Sequence, residues 1–258
     1  AVGKHSLGGL TTGDENVALG YKAGKGVVTG IYNTFIGAES GLVGSGSAVD
    51  NNTGLGFASL KALTSGSRNT SLGTYSTQQM VNASDTVAIG YYTLANALTS
   101  TDIDGSVAIG SFSQAENKTG IGNTSVGFQS LKSDVNGDFS TAVGYGVFEK
   151  QTGTSGLVAN TGVGYRAGYY NTTGTKNTYI GYHSGFGVNG NANSSNSALG
   201  YRSLLAITTG TVNTAMGESA GAAATTASGS AFLGADAGGT VTTGNQNIAI
   251  GYDAMKGG

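Results

Sequence analysis

Three groups of residues have types and spacing that could do chemistry. Asp134-Val-Asn136-Gly-Asp138 places oxygen-bearing side chains at alternate positions, as the start of a calcium loop does. Asp102-Ile-Asp104-Gly105 is a shorter echo of it. Calcium takes six to eight oxygens, and the position that would supply a bidentate Glu holds Tyr145. An Asx turn accounts for Asp134, Asn136 and Asp138 equally, so they are weak metal candidates and no metal or cofactor is expected. Asp236 and Asp253 are 17 residues apart. Stacked across one repeat they would lie ~4.8 Å apart. A close acid pair can split its pKa values and perform acid–base work. No cleft or third polar partner is evident for it, so the two are read as solvated acids. Gly185-Phe-Gly187-Val-Asn-Gly190 matches a dinucleotide-binding pattern, but it lacks the preceding strand and following helix, and chance supplies such matches among 47 glycines. His5 and His183 are the only histidines, and both read as exposed polar side chains. No catalytic residue is assigned, and the chain is expected not to be an enzyme.

Composition removes other classes. The 258 residues include no Cys, so there is no disulfide framework, thiolate metal site or cysteine nucleophile. The 12 Lys and Arg are scattered singly, which gives nucleic acid no basic patch. Apolar runs are only a few residues long, so membrane insertion is not expected. Pro is absent and Gly has no period of three, which excludes collagen.

The elements that position these residues follow from a repeat that runs the whole length. Asn16-Val-Ala-Leu-Gly20, Asn33-Thr-Phe-Ile-Gly37, Asn123-Thr-Ser-Val-Gly127 and Asn247-Ile-Ala-Ile-Gly251 are clear copies. Alignment on the glycine gives fifteen anchors: Gly3, Gly20, Gly37, Gly56, Gly73, Gly90, Gly110, Gly127, Gly144, Gly164, Gly181, Gly200, Gly217, Gly234 and Gly251. Ten of the fourteen spacings are 17 and the others are 19 or 20. A fixed period with rare short insertions describes a solenoid. The fold class expected is therefore all-β, a parallel β-solenoid (β-roll) of about fifteen 17-residue coils. At ~4.8 Å per coil that is a rod of about 70 Å. Residues 1–258 read as one repeat solenoid, cut mid-repeat at both ends.

Columns of the repeat carry the physics. Numbered from the anchor, position −1 is aliphatic or Met in every copy, and +1 is aromatic in nine. Positions −3, −1, +1 and +3 alternate, which places them on one face of an extended backbone. This face is assigned to the coil interior. The opposite face carries Asn at −4 in ten of fourteen copies, small residues at −2 except Phe35, Tyr179 and Phe232, and the anchor Gly. Asn at −4 suits a turn or a ladder stacked along the axis. An invariant Gly serves either positive φ or close approach of another backbone. The core that results is thin against the entropy of ordering each coil. A second buried face is therefore expected, with the Gly/Ala face of several chains packed around a shared axis.

Longer repeats add residues at Gly44–Asp50, Thr99–Asp104, Gln151–Gly156 and Asn189–Ser195. Insertions map to one edge of a solenoid, often a binding edge. Asp14, Asp50, Asp104 and Asp138 share column −6 and fit turn chemistry better than catalysis. Each anchor also fits the hexapeptide of left-handed β-helix acyltransferases, but once per coil instead of three times. Ice binding needs an exposed Thr array, whereas the −3 Thr column alternates with Val and is placed inside.

The repeat unit, shown well by Asn213-Thr-Ala-Met-Gly217-Glu-Ser-Ala-Gly221 and Asn160-Thr-Gly-Val-Gly164-Tyr-Arg-Ala-Gly168, resembles repeats in the shafts of bacteriophage tail fibres. It is also similar to head repeats of trimeric autotransporter adhesins (YadA-like), which are usually shorter. The resemblance covers essentially the whole chain. Thr86, Ser106, Ser140 and Ser230 depart from the Asn column. The resemblance implies a homotrimer of identical chains, extracellular on a virion tail fibre or bacterial surface, acting as a rigid shaft or adhesin. In the alternative reading, the insertion loops bind a host cell-surface glycan or receptor.

Overall fold

The computed structural model describes residues 1–44, 47–97, 103–153 and 156–256. They contain strands, turns and isolated bridges, and no helix. The chain is a parallel β-solenoid with about 17 residues per turn. Its residues gather in two compact units, Ala1–Phe128 and Gln129–Gly258.

In the first unit one three-residue strand precedes each anchor from Gly20 to Gly127. They are β1 (Val17–Leu19), β2 (Thr34–Ile36), β3 (Thr53–Leu55), β4 (Thr70–Leu72), β5 (Val87–Ile89), β6 (Val107–Ile109) and β7 (Thr124–Val126). Each pairs in parallel with the next, and equivalent columns face each other: Leu19 opposite Ile36, Leu55 opposite Leu72. Val2, before the first anchor, bridges to Leu19.

The second unit repeats this with β9 (Thr141–Val143), β11 (Thr161–Val163), β12 (Thr178–Ile180), β13 (Ser197–Leu199), β14 (Thr214–Met216), β15 (Ala231–Leu233) and β16 (Ile248–Ile250). Two short strands, β8 (Gly137–Asp138) and β10 (Gly156–Leu157), form a separate parallel pair.

The anchor glycines answer to both physical reasons at once. Gly217 has φ 137°, and a Cβ there would lie 2.5 Å from the carbonyl oxygen of Gly234. The backbone that approaches is the next coil of the same chain. The Asn column is a buried ladder. Asn16 Oδ1 accepts from Asn33 N at 3.0 Å, Asn33 Oδ1 from Asn52 N at 3.0 Å, and Asn52 Oδ1 from Asn69 N at 3.0 Å. Asn160, Asn177, Asn196 and Asn213 continue in the same way in the second unit.

The two strand faces are the reverse of the expectation. Within each strand the middle residue, at −2, is buried, and the flanking −3 and −1 residues are exposed or half-exposed. The +1 aromatics, from Tyr21 to Tyr201, are also exposed, while +3 is buried at Ala23, Ser40, Ser113 and Ala220. The Gly/Ala face is thus the inside of the chain's own coil.

The corners explain the inversion. Non-glycine residues take left-handed φ near 55° at column +2 (Lys22, Glu39, Tyr75, Arg166, Arg202) and near 58° five residues before an anchor (Glu15, Arg68, Asp85, Lys176). Column +4 is left-handed as well, at Leu60, Leu94, Leu131 and Leu204. These corners end the alternation that runs from −3 to +1 and turn +3 inward. They also send the +4 and +7 side chains across the coil. Leu60, Leu63, Met80, Leu94, Leu204 and Ile207 fill the interior from there, leaving the strand opposite room for Ala, Ser or Gly. Where −2 is large, +4 is Gly on both sides: Gly24 and Gly41 flank Phe35, Gly168 and Gly185 flank Tyr179, Gly221 and Gly238 flank Phe232.

Candidate functional site

The outer sheet face follows directly from that inversion. Leu55, Leu72, Ile109 and Val126 of the first unit, and Ile180, Leu199, Met216 and Leu233 of the second, project away from the coil, all partly or substantially exposed. Beside them run Thr34, Thr53, Thr70, Thr124, Thr141, Thr161, Thr178 and Thr214 at −3, also on the outside. The ground on which ice binding was set aside, a Thr column inside the coil, therefore falls. The array is nevertheless interrupted by Val87, Val107, Ala231 and Ile248.

Just past the anchors lies an aromatic edge. In the second unit Tyr145, Tyr165, Tyr182 and Tyr201 stack in register, with centroids 5.3, 5.1 and 5.3 Å apart and rings within 22° of parallel. The spacing is the strand repeat itself. Because each ring covers its neighbour's face, the edges and hydroxyls are what meet solvent. Arg166 lies over Tyr165 and Tyr169 at 5.3 and 4.9 Å, and Arg202 over Tyr201 at 5.4 Å. His183 is wedged between Tyr182 at 4.2 Å and Phe186 at 4.4 Å. It is thus half-buried, not the exposed side chain expected. Desolvation, and secondarily Arg166 and Arg202, hold its pKa below the ordinary imidazole value. In the first unit Phe57, Tyr75, Tyr91, Tyr92 and Phe112 make an edge-to-face cluster at the same place.

Asp134 is buried, unlike a ligand on an open turn. Its Oδ1 accepts from Gly137 N at 3.0 Å and its Oδ2 from Gln151 Nε2 at 2.6 Å. N–H donors thus occupy both oxygens, which is Asx-turn wiring extended to the next coil. Among the described residues no three His, Cys, Asp or Glu come together as a metal site. The calcium reading is dropped on this geometry. Desolvation pushes the Asp134 carboxyl up to about 7, and the hydrogen bonds from Gln151 and Gly137 oppose the rise.

Column +7 carries the signal that sequence reasoning missed. It is Leu10, Val27, Leu63, Met80 and Ile207 in most coils but Asn117, Asp134, Gln151 and Asn171 in four successive ones. A column that is buried and apolar at Val27, Leu63, Met80 and Ile207 predicts that those four polar groups are buried and must pair.

The remaining expected sites resolve structurally. Asp236 and Asp253 share one cation: Lys256 Nζ reaches Asp253 Oδ1 at 2.8 Å and Asp236 Oδ2 at 3.3 Å. With Lys256 as the third polar partner, the pair is an exposed ion cluster. Gly185, Gly187 and Gly190 all lie at positive φ, and no helix follows. Asp50 Oδ1 accepts from Ile31 N at 2.9 Å and Asp104 Oδ1 from Ser84 N at 2.5 Å, so both tie neighbouring coils.

The insertions reach inward as well as outward. Val49, Ile103, Gln151, Asn191 and Asn193 are buried, while Val188, Asn189 and Gly190 stay exposed. Residues 45–46, 98–102 and 154–155 of the insertions, including Asp102, lie outside the described residues. Among the described residues no pocket opens, and no helix is long and apolar enough to cross a membrane. Comparison with protein-family models, with curated proteins and with solved structures finds no match.

Proposed function

We propose that this chain is a non-enzymatic structural segment of a fibre, a shaft or adhesin, in which identical chains pack their outer sheet faces together around a shared axis. The observation that supports it is the aliphatic −1 column, which points away from a coil whose interior is already full. In each unit seven strands at ~4.8 Å give a stripe about 34 Å long and, at three residues, about 10 Å wide. The aromatic edge widens it. Each stripe approaches the ~300–600 Å² of the largest apolar patch on an ordinary monomer, and patches of that kind mark interaction sites. A second copy is the natural occupant, because its own column has the same spacing. Three copies close around an axis without leaving a free face. The setting that goes with this reading is extracellular, on a virion tail fibre or a bacterial surface.

Light-scattering mass of the purified chain tests it. Three chain masses are expected, and Leu55→Glu with Leu72→Glu should reduce them to one while the β-sheet spectrum persists. A single-chain mass for the unaltered protein at micromolar concentration overturns the reading.

The aromatic edge favours a second role on the same rod, contact with a cell-surface glycan or receptor. Tyr182 and Arg202, not the insertion loops, would then carry adhesion. Adhesion that survives Tyr182→Ala with Arg202→Ala, but is lost when the insertions are shortened, returns the role to the loops.

A further inference from the structure

The chain contains two Asn-Gly pairs, and both sit in the same local sequence: Val135-Asn136-Gly137 and Val188-Asn189-Gly190. Asn is thermolabile, because the backbone nitrogen that follows it can attack its side-chain carbonyl carbon. Gly in the following position leaves that nitrogen unshielded by a side chain and free to rotate. With Val before and Gly after in both pairs, local sequence gives the two sites nearly the same intrinsic reactivity. Any difference between them comes from the fold.

The fold separates them widely. Gly137 N donates to the buried Asp134 Oδ1 at 3.0 Å, and the Asn136 amide bonds the same carboxyl. A Cβ on Gly137 would lie 2.8 Å from both Asp134 oxygens and 2.9 Å from Val158 Cγ2, so this pair is packed as well as bonded. At the other pair Asn189 and Gly190 are both exposed, and a Cβ on Gly190 would meet nothing within 4 Å. Among the described residues neither the Gly190 amide nor the Asn189 side chain makes a hydrogen bond. Gly190 holds φ 83° in the turn that Asn191 N closes on Val188 O at 3.1 Å. That one bond is what opposes rotation of Gly190 N toward Asn189 Cγ.

We propose that Asn189-Gly190 is a self-modifying site, at which the folded chain converts Asn189 to aspartate and isoaspartate without an enzyme. Gly190 N gives its proton to solvent base and bonds Asn189 Cγ, and the side-chain nitrogen leaves as ammonia. The cyclic imide so formed takes up one water, the only co-reactant. Cleavage of the new Cγ–N bond leaves Asp. Cleavage at the main-chain carbonyl leaves isoaspartate, with the chain running through Cγ. Either product adds a negative charge to the insertion, and isoaspartate also lengthens the backbone by one carbon. Gly187 N on Leu205 O at 2.9 Å and Ala192 N on Thr208 O at 3.1 Å hold both flanks to the next coil, so the change is confined to the turn.

Peptide mapping by mass spectrometry tests this on the full chain held in mildly alkaline buffer, with isoaspartate read by enzymatic methylation of its free α-carboxylate. In the folded chain Asn189 should convert at least ~10-fold faster than Asn136, because the Gly137 amide must first break from Asp134. In denaturant the two should convert within ~3-fold of each other, because their local sequences match and the fold is gone. Asn189→Gln should remove the methylation signal of the folded chain. The converted protein should keep its β-sheet spectrum, with hydrogen exchange faster at the Asn191 amide and unchanged at Gly187 and Ala192. Equal rates at the two sites in the folded chain overturn the proposal, as does an Asn189 that converts only in denaturant or a signal that survives Asn189→Gln. Exchange that also rises at Gly187 and Ala192 overturns the confinement to the turn.

Discussion

Phe232 and Gly221 share one volume: a Cβ on Gly221 would sit 2.6 Å from Phe232 Cδ2. Gly238, one coil on, faces the other side of the same ring. Other coils carry Leu at this +4 position, in the same left-handed backbone, so the glycines here are set by volume more than by φ. Phe232→Ala should cost ~3–5 kcal/mol by opening a cavity. Gly238→Leu alone should also destabilise, by overpacking. Together the two should cost clearly less than the sum, because Leu refills the vacated space, and denaturant unfolding of the four-protein cycle measures that coupling.

Anchor glycines should tolerate far less. At Gly217 a side chain meets both an unfavourable φ of 137° and the carbonyl of Gly234. Gly217→Ala is expected to cost ~3 kcal/mol or more, as strain and clash add. Gly105 has φ 67° and open space around its Cβ position, so Gly105→Ala should cost ~1 kcal/mol. Thermal unfolding of the two variants side by side checks the ranking.

Neighbouring residues of one strand should separate folding from assembly. Ala215 is fully buried and Met216 is 44% exposed. Ala215→Glu places a charge in the coil interior and should abolish the β-sheet spectrum. Met216→Glu should leave that spectrum intact and lower the mass measured by light scattering. The opposite pattern would restore the aliphatic column to the interior.

Stability should depend on pH through Asp134. Its folded-state pKa is raised from 3.8 to about 7, so the folded chain binds the proton more tightly than the unfolded one. The stability that this proton contributes is present below pH 3.8 and is lost as pH rises to about 7. The loss is at most on the order of 4 kcal/mol, at 1.36 kcal/mol per pKa unit. Asp134→Asn should flatten this part of the profile and be the more stable protein at pH 8. Urea midpoints across the range decide it.

Much of the architecture was written along the chain. The period of 17, the strand just before each glycine, the parallel in-register pairing and the Asn ladder all follow from spacing and residue type. Aliphatic–small–aliphatic alternation requires an extended backbone with two unlike faces, and an invariant Gly beside it requires a place where no Cβ fits. Lys256 beside Asp236 and Asp253, and the polar interruption of column +7, were visible too, once residues were compared across coils instead of along them.

Tertiary structure decided which face is inside. Alternation has no sign: it separates Leu72 from Ser71 but does not say which of them the coil encloses. The sign comes from the left-handed corners, occupied by Lys22, Glu39, Tyr75 and Arg166, whose residue types give no warning of positive φ. Those corners aim Leu60, Leu94 and Leu204 across a narrow coil, and after that only Ala, Ser or Gly fits on the strand opposite. The larger aliphatics are left outside, where a second chain can cover them.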